Sequence, residues 1–301
     1  MRRRVSVVPR FARVWRDAAR RLDAARLQYG QGTGDALQEA AWMLIHSLGW
    51  PVLESFERLA ALAEREVPAD ALRRLDALVR ARIATRKPAA YLLGEAWLQG
   101  ERFVVDPRVI VPRSLIAELI HDGLDPWLRQ EPRTIVDVCT GSGCLAILAA
   151  KRWEHARVLG VDISADALDV ARENIALHAL GARVELLESD LLRARSPEGP
   201  GVDLMLCNPP YVNAGSMRAL PAEFRHEPEL ALAGGTDGMD LVRRLFEQAR
   251  RHLAPHGVLV VEIGNERAHF DAAFPRLPVV WMPTSTPDTV FLVEAADLAR
   301  A

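Results

Sequence analysis

The chain has 301 residues, half of them hydrophobic and 26% charged, with a formal net charge of −2. That length suits one large α/β domain plus a smaller one, and the apolar share excludes a wholly disordered polymer. No run approaches the ~20 apolar residues of a membrane span. The basic start, Met1-Arg-Arg-Arg-Val-Ser-Val-Val-Pro-Arg10, lacks the apolar stretch of a signal peptide, so the expected localisation is cytoplasmic.

Charge is unevenly spread. Residues 1–100 carry 17 Arg/Lys against 11 Asp/Glu, and the rest carry 21 against 29. A basic front part is compatible with incidental RNA contact, though a solvated surface explains it more simply. Cys139, Cys144 and Cys207 match no zinc spacing, and no metal is expected. His252 and His256 are four apart, but Pro255 lies between them, and both read as surface residues.

In chain order, residues 11–86 read as helical. Trp15, Ala18, Leu22, Ala25 and Tyr29 recur at three- and four-residue spacing, one face of a helix that Gly30–Gly34 interrupts. Asp35 caps a second helix that ends at Gly49 before Pro51. Leu59, Leu62 and Ala63 mark a third, and Leu72, Leu75, Leu78, Val79 and Ile83 a fourth. Tyr91–Trp97 and Arg102–Val105 flank Gln99-Gly100 as a β-hairpin, and a helix follows from Ser114 through Ile120. After Pro132, strands at 134–138, 157–161, 183–187, 202–207, 257–263, 277–282 and 289–294 alternate with helices at 143–153, 165–180, 238–253 and 266–273. This alternation predicts a mostly parallel sheet covered on both faces, with the last two strands pairing antiparallel at an edge.

Two segments carry chemistry. In Ile135-Val-Asp-Val-Cys-Thr-Gly-Ser-Gly-Cys-Leu-Ala146 a buried strand runs into a small-residue turn and then a helix, so backbone N–H groups can approach a ligand. Asp162 ends the next strand, where a carboxylate can bind ribose hydroxyls, and Asp190-Leu191 reaches the same sheet edge after the third. Taken alone, this turn also describes a nicotinamide-dependent oxidoreductase or a structural strand turn; Ala146 replaces the third glycine of the dinucleotide pattern.

The second segment is Asn208-Pro-Pro-Tyr211, directly after the strand Val202–Cys207. Its two prolines stiffen an extended backbone and leave carbonyls free to accept. Asn208 offers an amide oxygen and Tyr211 a flat face. Together they can grip a planar NH₂ group by its two hydrogens and pack on the conjugated plane behind it.

Asp137-x-x-Thr-Gly-Ser-Gly143, Asp162 and Asn208-Pro-Pro-Tyr211 together resemble the glutamine N(5)-methyltransferases that modify release factors and a large-subunit ribosomal protein. The resemblance runs from about Trp15 to Glu294. It includes Tyr91-Leu-Leu-Gly-Glu95, Val111-Pro-Arg113, Glu227-Pro228, Gly235-Thr-Asp-Gly238 and Glu262-Ile-Gly-Asn265. Pro112-Arg-Ser114 with Ile116–Ile120, Gly32–Ala36 and Cys139 are similar to the branch acting on ribosomal protein L-three. Leu115 departs from it, standing where that branch usually has proline.

The resemblance implies a seven-stranded, Rossmann-like class I S-adenosylmethionine-dependent methyltransferase domain at 114–301. It also implies a small helical substrate-recognition domain at 1–88 and a β-hairpin linker at 89–113. S-adenosylmethionine is then expected on Asp137, Thr140, Gly141, Ser142, Gly143, Asp162, Asp190, Leu191 and Asn208. Asn208, Pro209, Pro210 and Tyr211 are the expected catalytic residues, and L-three the expected partner. The remaining alternatives are a release-factor acceptor, a nucleobase exocyclic amine held by a similar gate, and a non-catalytic cofactor-binding protein. No conspicuous basic groove or long insertion for flipping a base favours the nucleobase reading.

Overall fold

The computed structural model describes residues 8–122 and 124–300, so most of the basic start and the first residues of the expected helical domain lie outside the described residues. The chain divides into two compact units. One runs through Glu95 and takes in Pro221–His226; the other comprises Ala96–Leu220 and the chain from Glu227. The boundary therefore falls inside the stretch read as a linker.

The first unit is helical: α1 (Phe11–Ala24), α2 (Ala36–Leu48), α3 (Val52–Glu57), α4 (Leu59–Leu62), α5 (Ala69–Thr85) and α6 (Ala89–Leu93). Helix α2 is its axis, packed on α1 and α5 with Ala40, Ala41, Met43, Leu44 and Ile45 fully buried. Asp35 caps α2 by accepting from the Gln38 N–H at 2.8 Å, as its side chain predicts. Helix α1 stops at Ala24, short of the expected Tyr29. The chain turns at Arg26, whose φ is +51° and whose N–H returns to the Asp23 carbonyl. The third predicted helix is two short pieces that begin at Val52 rather than Leu59. Tyr91–Leu93, read as strand, is helical, because Pro88 starts a helical turn and Gly94 closes it at φ +69°. Between the helices, Arg82 and Glu39 form a fully buried ion pair at 2.8 Å.

In the second unit, β1 (Glu95–Leu98) and β2 (Glu101–Val104) form the hairpin, turning at Gln99-Gly100 with both residues at positive φ. Then come α7 (Ile116–Asp122), β3 (Thr134–Val138), α8 (Cys144–Arg152), β4 (Arg157–Asp162), α9 (Ala165–Leu177), β5 (Val184–Glu188) and β6 (Val202–Cys207). The chain continues with α10 (Ala214–Ala219), α11 (Asp240–His252), β7 (Leu253–Glu262), α12 (Arg267–Ala273), β8 (Val280–Trp281), β9 (Val290–Glu294) and α13 (Ala295–Leu298). Seven strands order as β5-β4-β3-β6-β7-β9-β8, parallel from β5 to β7 and antiparallel at β9 and β8.

The predicted strands are all present, although 277–282 shrinks to two residues. The short helices α10 and α13 had no clear periodic signal. The inner strands are buried apolar runs, as a doubly covered parallel sheet requires; β6 reads Val-Asp-Leu-Met-Leu-Cys with its last four residues fully buried. One core lies between the sheet and α11, where Val242, Leu245, Phe246 and Ala249 meet Met205, Val261 and Phe291. His252 corrects its surface reading. It ends α11 buried, and its Nδ1 meets Arg195 Nη1 at 2.8 Å. Among the described residues no helix is long and apolar enough to cross a membrane, and no group of three or more His, Cys, Asp or Glu could hold a metal ion.

Candidate active site

Strand order reverses around β3, with β4 on one side and β6 on the other, and a cavity of about 540 Å³ opens at the carboxyl ends of these strands. The turn after β3 forms one wall. Asp137, the strand's fourth residue, is buried and accepts through Oδ2 from Thr140 Oγ1 at 2.5 Å and from the Ala146 N–H at 3.1 Å. Burial raises its carboxyl from 3.8 to about 7. Its Oδ1 is buried with no partner among the described residues. Cys139 takes φ +60°, the left-handed conformation usually left to glycine, and lines the cavity beside Gly141. Gly143 opens α8, packed so closely on α9 that a Cβ would lie 3.2 Å from that of Ala171.

Asp162 ends β4 in the cavity wall. Its Oδ2 accepts from the Gly141 N–H at 2.9 Å and its Oδ1 from the Ser164 N–H at 3.0 Å, so one carboxylate ties the glycine turn to the start of α9. Burial raises its pKa. Each oxygen keeps a second acceptor position for a hydroxyl. Asp190 and Leu191, beyond β5, line the same cavity; Asp190 is held by Arg244 and by Arg193 at 3.3 Å.

The opposite wall follows β6. Asn208 and Pro210 line the cavity, and the Asn208 side chain makes no hydrogen bond to a described residue. Of the expected cofactor residues, Gly141, Asp162, Asp190, Leu191 and Asn208 therefore come together on one cavity. Asp137, Thr140, Ser142 and Gly143 do not line it; they shape the turn. Of the expected catalytic four, Pro209 is buried outside the lining and Tyr211 stands next to it.

Tyr211 is braced on several sides. A Cβ on Gly264 would sit 2.5 Å from its ring Cε2, and one on Gly238 would sit 2.3 Å from its carbonyl oxygen; both glycines also have positive φ. Its hydroxyl donates to Glu262 Oε1 at 3.4 Å. Burial, and then the neighbouring Glu262 carboxylate, push the phenol above its usual range. Glu262 ends β7 and its own pKa is raised by burial. Arg113 makes a two-pronged pair with Glu227 at 2.5 and 2.9 Å. Sequence reasoning quoted Glu227, Gly238 and Gly264 within motifs without giving them roles. The signal was there in the form of glycines and carboxylates at strand ends, but their partners are far away in sequence.

A relative from Bordetella pertussis, "Ribosomal protein uL3 glutamine methyltransferase", is 50% identical over 288 residues, covering 94% of each chain. One of the same name from Burkholderia pseudomallei is 48% identical over 293 residues, again 94% of each. The chain belongs to this methyltransferase family. The family model "Methyltransferase small domain" matches residues 119–227, which include Gly141, Asp162, Asp190, Asn208 and Pro210 of the cavity lining, and "PrmC N-terminal domain" matches residues 14–94. Among solved structures, the hMettl16 catalytic domain in complex with an RNA hairpin superposes with a TM-score of 0.50. That match has 14% identity and covers 75% of this chain and 81% of the other; it shows the shared fold. The chain is a methyltransferase of that fold.

Proposed function

We propose that this enzyme moves a methyl group from S-adenosylmethionine to the side-chain amide nitrogen of a glutamine in ribosomal protein L-three. The observation that carries the reading is the Asn208 amide, without a hydrogen-bond partner among the described residues, on the same cavity as Asp162 and Gly141, in a chain whose relatives of this name match along 94% of its length. The residues present suit the cofactor. A cavity of about 540 Å³ joins a carboxylate for ribose hydroxyls, Asp162, to a strand-end position for the base, Asp190-Leu191. The bound group supplies an electrophilic methyl on a sulfonium. Everything else falls to the protein.

Asn208 Oδ1 accepts one hydrogen of the acceptor amide and the Pro209 carbonyl takes the other. Tyr211 packs against the amide plane. Accepting both N–H bonds favours the pyramidal nitrogen, whose lone pair is less delocalised and more nucleophilic. No base is required before transfer, because the product's extra proton is acidic enough to leave to water. Catalysis is then mainly orientation, worth up to ~7–11 kcal/mol in favourable systems. The domain at residues 1–88 serves substrate recognition, 89–113 join it to the transferase at 114–301, and the reaction takes place in the cytoplasm. The basic front region admits incidental RNA contact.

The test supplies methyl-labelled S-adenosylmethionine with three separate acceptors: L-three, a release factor, and undermodified nucleic acid. Label in L-three at one glutamine supports the reading. Label in the release factor keeps the chemistry and moves the substrate, and label only in nucleic acid refutes the amide acceptor.

A further inference from the structure

Glu262 gathers donors from two segments far apart in sequence. Its Oε2 accepts from Ser114 Oγ at 2.6 Å and from the Leu115 N–H at 2.9 Å, while its Oε1 accepts from the Tyr211 hydroxyl at 3.4 Å. The side chain is only 5% exposed. A second buried carboxylate, Glu227, takes the Val111 N–H at 3.0 Å and the Arg113 guanidinium. Two carboxylates thus pin the stretch Val111–Leu115. Leu115 fits this arrangement, because a proline there would have no N–H to donate.

A carboxylate is well suited to three donors, because its two oxygens offer about four acceptor positions. The Arg113 guanidinium, paired with Glu227, also acts on Glu262 through its charge. The Tyr211 ring lies against Gly264, which has no side chain, and its hydroxyl reaches Glu262. Ser114 and Tyr211 share no hydrogen bond with each other among the described residues; what they share is Glu262.

We propose that Glu262 is a positioning residue that fixes the Tyr211 ring for the acceptor amide and couples it to the Val111–Leu115 stretch. The proposal rests on the reading of Asn208–Tyr211 as the acceptor wall. Losing either donor lets the shared carboxylate shift, so the second loss adds little.

The test is a cycle of Ser114→Ala, Tyr211→Phe and the double variant, with Glu262→Gln alongside. It reads kcat and KM for the acceptor protein, cofactor Kd by calorimetry, and urea unfolding. Each single variant is expected to lower kcat about tenfold, with acceptor KM and cofactor Kd within about twofold of wild type. The double variant should fall no further than the weaker single, because coupled residues are not additive. Glu262→Gln can still accept from Ser114 and Leu115 and donate to the Tyr211 hydroxyl, so it should keep most turnover. Losses that multiply in the double variant, or wild-type kcat in both singles, overturn the proposal. The unfolding cycle reads the same coupling without turnover. Coupled stability in a protein that methylates no protein acceptor would retain the relay and sink the acceptor reading instead.

Discussion

The turn after β3 is held by bonds that span 2 to 32 residues, from Thr140 and Ala146 onto Asp137, from Gly141 and Ser164 onto Asp162, and from Asn174 onto the Ser142 carbonyl. The wall after β6 is held from much farther away. Tyr211 reaches Glu262 across 51 residues, and Glu262 reaches Ser114 across 148. The glycine-turn half is largely self-contained, although Asp190 on the same side is held by Arg244 54 residues away, and the other half is assembled from segments far apart in the chain. The cofactor side should therefore tolerate changes elsewhere in the fold, while the acceptor side should register changes at residues that never touch the substrate.

The largest expected effect tests the acceptor wall directly. Asn208→Ala removes a polar side chain with no hydrogen-bond partner among the described residues, and losing a preorganised contact of this kind commonly costs about 10²–10³ in rate. Steady-state methyl transfer should fall by that factor while calorimetric cofactor binding stays near wild type. Unchanged turnover would end the role assigned to Asn208.

Asp162→Ala should show the opposite pattern. Its carboxylate offers acceptor positions in the cavity, and a hydrogen bond to a charged group is worth about 1.5–3 kcal/mol. Cofactor Kd should rise roughly 10- to 100-fold, with a smaller change in turnover at saturating cofactor. An unchanged titration would place the ribose elsewhere.

This division also explains what was legible in the sequence. The strands of the parallel sheet announced themselves as short apolar runs, and Asp35 and Gly49 marked helix ends through local chemistry. The glycine turn and Asp162 lie within one β-α-β unit, so their meeting could be anticipated. The bracing of Tyr211 could not be. Nothing near Glu262 or Gly264 says that their strand end meets Asn208–Tyr211, because that depends on β7 lying beside β6. His252 failed for the same reason: Pro255 ends the helix, but burial under Arg195 is a tertiary fact. The true end of α1 turns on Arg26 at positive φ, a conformation that arginine rarely signals.

Gly264→Ala sharpens the comparison at a residue outside the cavity lining. The added methyl would come within 2.5 Å of the Tyr211 ring, at a φ of +52° that costs a non-glycine residue about 1–2 kcal/mol. Turnover should drop about tenfold while cofactor Kd holds. Equal loss of both would mean that the two walls are not independent.

The smallest effect concerns the self-contained half and appears in stability. Burial holds the Asp137 carboxyl at about 7, against 3.8 for the free side chain. Between those values the folded protein keeps a proton that the unfolded chain releases, so this residue's contribution to stability declines as pH rises from about 4 to about 7 and is flat above. Asp137→Asn keeps an oxygen for Thr140 and Ala146, stays neutral at every pH and lacks that slope. Asp162, Glu262 and Glu39 are also raised by burial, but they titrate in both proteins and cancel in the difference. Urea unfolding of the two proteins from pH 4.5 to 8 should give curves that separate steadily up to about pH 7, with the variant gaining relative to wild type. Parallel curves would mean that Asp137 is ionised in the folded protein and that its unpaired Oδ1 finds a donor.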